Sequence, residues 1–198
     1  VFRKKLTKTC KIIFTSATMT AEFKKMISLV QESRTMITIE MPVEQLTLKN
    51  VNQYVIQVKD NDEKIDALTK LMTAVNVQNI LIFDNRRDSL SQLTNFLKEA
   101  GYKAEFIYKE ERGSSTGSDV RTKSEDFLAG KFRILLTTNL LSRGIDMRKV
   151  TLVINMSLPL RYDSSGDQQQ QVDVETYLHR VGRTGRFGDQ GIALNFIE

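Results

Sequence analysis

The 198-residue sequence predicts an α/β fold built on a parallel sheet, and three observations point there. Short apolar, β-branched runs recur along the chain. Several are apolar on consecutive residues (Ile80, Leu81, Ile82, Phe83; Ile134, Leu135, Leu136), which is how a strand buried on both faces reads. Between the runs lie stretches with apolar residues at spacings of three and four, the mark of amphipathic helices. Strands that alternate with helices imply βαβ units and parallel neighbours.

In order, strands are expected at 11–15, 36–40, 51–58, 79–84, 103–108, 132–137, 151–156 and 191–197. Only 51–58 alternates. In 62–75, Ile65, Leu68, Leu71, Met72 and Val75 share one helical face. In 88–100, Leu90, Leu93 and Leu97 do the same, and Gly101 stands where a helix-ending glycine belongs. A weaker helix covers 119–129, followed by Gly130. Two segments break the rhythm. Residues 113–118 (GSSTGS) read as a flexible loop. Residues 163–171 (DSSGDQQQQ) read as a solvated polar loop, since polar tracts are tolerated at loop tips. The boundary falls at 42–49. Residues 1–41 then form one strand–helix–strand unit, and 42–198 a second, long enough to hold its own core. The chain reads as a fragment of something longer.

Composition narrows the function classes. The chain is 40% hydrophobic and 27% charged, which excludes wholesale disorder. A net charge of +5 suits a nucleic-acid or phosphate partner without proving one. One cysteine, Cys10, excludes an internal disulfide framework and a cysteine-based zinc site. One histidine, His179, argues against a histidine relay. No apolar run approaches the ~20 residues of a membrane span.

The densest chemical signal is residues 179–186 (HRVGRTGR). Arg180, Arg183 and Arg186 stand three apart across a helix-to-glycine transition, so their guanidinium groups share one side of a turn. Arginine is the planar, permanently charged donor that suits phosphate oxygens. The bland alternative is an arginine-rich helix end paired to carboxylates. A second signal, residues 137–146 (TTNLLSRGID), follows a buried strand directly, where open parallel sheets bind ligands. Thr138 there offers a hydroxyl and an N–H to a phosphate, and Asp146 a carboxylate to a sugar hydroxyl. Both residue types are also ordinary helix caps. A third signal is Ser16-Ala17-Thr18 after a strand-like run.

Together and in this order, these motifs resemble the DEAD-box ATP-dependent RNA helicases, built from two RecA-like domains. Ser16-Ala17-Thr18 is similar to the Ser-Ala-Thr motif of the first domain. Residues 81–83 resemble the aromatic-bearing strand of the second, and 137–146 its Thr-Thr-Asn…Arg-Gly-Ile-Asp motif. Residues 179–186 fit the His-Arg-x-Gly-Arg-x-x-Arg motif throughout. The resemblance implies a RecA-like parallel sheet with helices on both faces, preceded by the tail of a first RecA-like domain. It implies arginine fingers at Arg183 and Arg186 on the ATP γ-phosphate, with Asp146 holding the ribose and Gly144 beside the nucleotide. It implies RNA contacts at Thr138, Gly144, Asn85 and Arg86. It implies interdomain coupling through Ser16, Thr18, His179, Arg180 and Arg143, with Phe83 buttressing the finger loop. A further likeness is to the branch that drives mRNA export at the nuclear pore. That branch carries a long connection between a Leu-Pro pair (Leu158-Pro159) and the Glu-Thr-Tyr-Leu-His-Arg run at 175–180. The implied setting is cytoplasmic or nuclear, or at the pore, with an activating protein partner.

Departures and absences complete the reading. Family members carry His-Gly and then Gln-x-x-Arg before the helix that ends at Phe127; here the stretch begins Tyr108-Lys109-Glu110, and no Gln-x-x-Arg follows. The chain contains no Gly-x-x-x-x-Gly-Lys-Ser/Thr and no Asp-Glu-x-Asp. The phosphate cradle and the Mg²⁺-holding acids are therefore not in it, and it is expected not to hydrolyse ATP alone. The rivals are an RNA-binding or adaptor module that kept the fold and lost catalysis, and a DNA helicase or translocase of the wider superfamily.

Overall fold

The computed structural model describes residues 10–16, 19, 21–32, 35–39, 48–108, 117–139, 150–162, 168–185 and 188–198. The chain divides into two compact units, Val1–Thr47 and Leu48–Glu198. In the first, helix α1 (Ala21–Gln31) is the one regular element among the described residues, and Phe23 meets Phe14 edge to face at 6.1 Å. The strands expected at 11–15 and 36–40 are not found over 10–16 and 35–39. A strand needs a neighbour to bond, and there Ile13, Ile37 and Ile39 are almost fully exposed.

The second unit holds β1 (Val51–Gln57), α2 (Asn61–Ala74), β2 (Ile80–Phe83), α3 (Arg87–Glu99), β3 (Ala104–Ile107), α4 (Gly117–Leu128), β4 (Ile134–Thr137), β5 (Leu152–Asn155), β6 (Leu160–Tyr162), β7 (Gln168–Val172), α5 (Val174–Val181) and β8 (Gly191–Ile197). Six strands form one sheet in the order β1-β8-β5-β2-β4-β3, every neighbour parallel.

The consecutive apolar runs are the central strands, as their pattern predicts: β2, β4 and β5 are buried at every residue. Alternate residues feed two cores. On one face Ile80, Ile82, Ile134, Leu136 and Ile154 meet Leu68 and Met72 of α2 and Leu90, Leu93 and Leu97 of α3. On the other, Leu81, Phe83, Leu135 and Val153 meet Phe127 of α4, and Val51 and Ala193 meet Val181 of α5. Helices therefore cover both faces. Strand β1, which alternates in sequence, is an edge strand with Tyr54 and Val55 exposed.

Local signals fix the helix ends. The Asp60 carboxylate accepts the Glu63 N–H at 2.8 Å and starts α2. At the end of α3, the N–H groups of Gly101 and Tyr102 bond back to Lys98 and Leu97. The glutamine-rich tract departs from its expectation. Gln168–Val172 is a strand, paired antiparallel with Leu160–Tyr162. Backbone ladder bonds do not depend on side-chain polarity, so a polar tract can pair as the outer arm of a hairpin.

Candidate nucleotide and nucleic-acid site

Parallel strands end together, and their carboxyl ends collect the loops that can face a ligand. Register places Ile107, Thr137, Phe83 and Asn155 side by side. The residues that follow them therefore line one edge: Tyr108 after β3, Thr138 and Asn139 after β4, Asp84 to Arg86 after β2, and Met156 and Ser157 after β5. Thr138 is half-buried there, and Arg86 is exposed.

The loop after β2 is tied down by its own polar groups. The Asp84 carboxylate accepts the Arg86 N–H and the Ser157 hydroxyl, both at 3.1 Å. The Asn85 N–H donates to the Ser157 hydroxyl at 2.9 Å, and its side-chain amide donates to the Leu158 carbonyl at 2.7 Å.

Arg180 joins these loops. It lies on α5, a helix begun by Asp173, whose carboxylate accepts both the N–H and the hydroxyl of Thr176. Burial, the largest influence, pushes the Asp173 carboxyl up. The Thr176 donors, the Arg161 charge and the Glu175 N–H together hold it below its ordinary value. Seven residues on, Arg180 is fully buried. Its Nε and Nη2 donate to Asn139 Oδ1 at 2.8 and 2.5 Å. Its Nη2 also donates to Asn85 Oδ1 at 2.6 Å, and its Nη1 to the Ser157 carbonyl at 2.7 Å and Asn155 Oδ1 at 3.3 Å. The Phe83 ring lies 5.2 Å from the guanidinium carbon. One planar cation thus holds the loops after β2, β4 and β5, which suits a fork with several fixed donors.

The network continues across the sheet. The Asn155 amide donates to Asn195 Oδ1 at 2.8 Å, the Asn195 amide to the Tyr54 carbonyl and the Tyr177 hydroxyl, and that hydroxyl to Gln53 Oε1. Burial pushes the Tyr177 phenol up, against the opposing hydrogen bond from Asn195.

Beyond α5 the chain turns tightly. Arg183 is buried, and its Nε donates to the His179 carbonyl at 3.0 Å, closing the helix end. The Thr184 hydroxyl donates to the carbonyls of Val150 and Thr151. Gly185 has φ +67°, and a Cβ there would stand 2.4 Å from the Val51 methyl, so glycine is required.

Of the sequence-predicted site residues, the structure gathers Asn85, Arg86, Thr138 and Arg180 at one edge, with Phe83 beneath. Arg180, expected to couple the domains, bonds to its own unit's loops through its described hydrogen bonds. Asn85 likewise spends its amide on Leu158 and Arg180. His179 is half-buried on α5, and Ser16 is exposed in the first unit. Thr18, Arg143, Gly144, Asp146 and Arg186 lie outside the described residues. Sequence reasoning missed Asn139, Asn155, Asn195 and Tyr177. A signal existed in Asn155 and Asn195, polar residues within otherwise apolar strands. Among the described residues no three metal-ligating side chains converge.

Comparison with known proteins adds the context. The sequence matches the family described as helicase conserved C-terminal domain over residues 63–188. It is 33% identical over 159 residues to "ATP-dependent RNA helicase DBP5" of Mycosarcoma maydis, covering 80% of this chain and 33% of that protein. It is 34% identical over 189 residues to "ATP-dependent RNA helicase eIF4A" of Kluyveromyces lactis, covering 96% of this chain and 43% of that protein. The chain thus spans a third to under half the length of these relatives. A solved structure of Saccharomyces cerevisiae Dbp5 bound to RNA and ADP BeF3 superimposes with a TM-score of 0.81 at 28% identity, covering 100% of this chain and 47% of that one.

Proposed function

The chain belongs to the helicase conserved C-terminal domain family, in its DEAD-box RNA helicase branch with the RecA-like fold, and from that premise we propose that it is the second half of an ATP-dependent motor that remodels RNA or RNA–protein complexes. The observation that carries this reading is the Arg180 connector. It ties the loops holding Asn85, Arg86 and Thr138 to the helix whose end carries Arg183. A group touching RNA and a group touching nucleotide then share one buried link.

In this reading Thr138 and Arg86 meet RNA phosphates, together with Gly144, and binding is largely sequence-independent. Asn85 positions the loop. Arg183 and Arg186 stabilise charge that develops on the γ-phosphate, where such fingers contribute on the order of 10³–10⁵ in rate. Arg183's planar, permanent charge fits that work. Asp146 holds the ribose, and Ser16, Thr18, His179 and Arg143 couple the two domains. ATP supplies the phosphoryl chemistry, and no Mg²⁺ ligand is assigned to this chain. The relatedness to DBP5 supports a place in mRNA export at the nuclear pore, with an activating protein partner.

RNA-stimulated ATP turnover by the full-length protein, in which a first RecA-like domain supplies the phosphate cradle, and by its Arg183→Ala variant, tests the reading. The expected outcome is a large loss of kcat with little change in nucleotide Kd, since fingers act mainly in the transition state. A well-folded Arg183→Ala protein with normal kcat sinks the motor. The adaptor reading, favoured by the missing Gln-x-x-Arg, predicts RNA binding with no turnover even in the unaltered full-length protein.

A further inference from the structure

The site edge ends at β3, the edge strand opposite β1. Tyr108 follows it directly. Its ring stacks on that of Phe106, centroids 5.4 Å apart and planes within 13°. The Arg87 guanidinium carbon lies 3.7 Å from the Tyr108 ring centroid, and its Nη2 donates to the Tyr108 hydroxyl at 2.6 Å. Lys123 Nζ stands 5.9 Å from the Phe106 ring and donates to the Phe106 carbonyl.

The placement of this cluster matters more than its existence. Arg87 begins α3, directly after the loop that carries Arg86, and Ile107 is in register with Thr137. Tyr108 and Thr138 are therefore neighbours at the same edge. Arg87 is exposed and Tyr108 half-buried, so the stack stands at the surface and does not fill a core. An arginine side chain there would ordinarily sample many rotamers. The ring contact and the hydroxyl bond hold this one in place, and a guanidinium held at the surface is a planar group on which a nucleobase stacks.

We propose that the Arg87–Tyr108 stack is a base-stacking platform that takes one unpaired nucleobase of single-stranded RNA, at the outer end of the row of phosphate contacts. The proposal rests on the RNA reading above and adds something that reading lacks. Phosphate contacts do not depend on the presence of bases, whereas this site does.

The test is a pair of titrations on the protein, with a single-stranded oligouridine and with an abasic oligomer of the same backbone. Aromatic stacking on one base corresponds to about a five- to 150-fold effect on affinity. Tyr108→Ala is expected to weaken oligouridine binding within that range and leave the abasic oligomer unaffected, and Arg87→Ala, which also removes a charge, to weaken oligouridine binding clearly more than abasic binding. Tyr108→Phe keeps the ring on Phe106 and under Arg87 but loses the hydroxyl bond, so it is expected to lose less affinity than Tyr108→Ala, which guards against misfolding of the alanine variant. Equal losses for both oligomers would overturn the proposal, as would unchanged oligouridine binding in variants where Arg86→Ala does weaken it. Failure of the unaltered protein to bind either oligomer would overturn the RNA reading itself, and the platform with it.

Discussion

Replacing Arg180 by methionine keeps most of the side-chain volume and removes every donor. Five hydrogen bonds among the described residues are lost, to Asn85, Asn139 (two), Asn155 and Ser157. Each bond to a charged group is worth about 1.5–3 kcal/mol, but the returns overlap, and removing the cation also relieves its desolvation. The better guide is the cost of leaving the buried neutral acceptors unsatisfied, about 1–3 kcal/mol per group and, after that relief, about 3–5 kcal/mol in all. For a unit of this size roughly 2–4 °C accompany each kcal/mol. Tm is therefore expected to fall by roughly 6–20 °C. Arg180→Lys keeps the charge but offers a point where a fork is needed, so it too is expected to be costly. Urea unfolding followed by circular dichroism measures both variants, since the chain has no tryptophan to report by fluorescence. An Arg180→Met protein within about 1 kcal/mol of the unaltered one would refute the connector on which the functional reading rests.

Thr137→Val is expected to stabilise by about 1 kcal/mol, because the Thr137 hydroxyl is buried without a hydrogen-bond partner among the described residues and valine has the same shape; a lower urea midpoint would contradict this. Asp173→Ala is expected to cost about 1 kcal/mol by removing the cap of α5. The Asp173 carboxyl is held below its unfolded value near 3.8, so its contribution is complete above that pH and is lost as pH falls through the folded value. The gap between variant and parent should therefore narrow in acid, and a gap that widens there would count against the cap. Gly185→Ala is expected to cost about 2–4 kcal/mol, combining left-handed strain with the Val51 clash, whereas Gly188→Ala, at φ +92° with open space around it, incurs only the strain. Equal midpoints for the two variants would dismiss the clash.

What was legible in the sequence follows from how local each cause is. Strands β2, β4 and β5 are apolar on both faces, a property written in four consecutive residues. The helix faces of α2 and α3 are likewise local. The runs at 11–15 and 36–40 have strand composition but no ladder among the described residues, and pairing is not a local property. The glutamine tract failed in the opposite sense, its composition hiding a hairpin. At the site, the edge position of Thr138 and Asn85 could be read from strand ends. The work of Arg180 could not, because its acceptors come from residues 85, 139, 155 and 157, which only the folded topology brings to one guanidinium.

The sheet order has a consequence for how the molecule comes into being. Strand β8, the last in sequence, is inserted second in the sheet, between β1 and β5. While the chain is being synthesised, β1 emerges first and finds no partner until some 140 residues later, when Gly191–Ile197 leaves the ribosome. Contacts that span so much sequence are slow to close. In the interval β1 and β5 both present open hydrogen-bonding edges, and Tyr54 and Val55 stand exposed on the first of them, a configuration that invites pairing between nascent chains. A ribosome stalled before residue 191 would carry an unfinished sheet, with both the polar network through Asn195 and the core around Phe196 still missing.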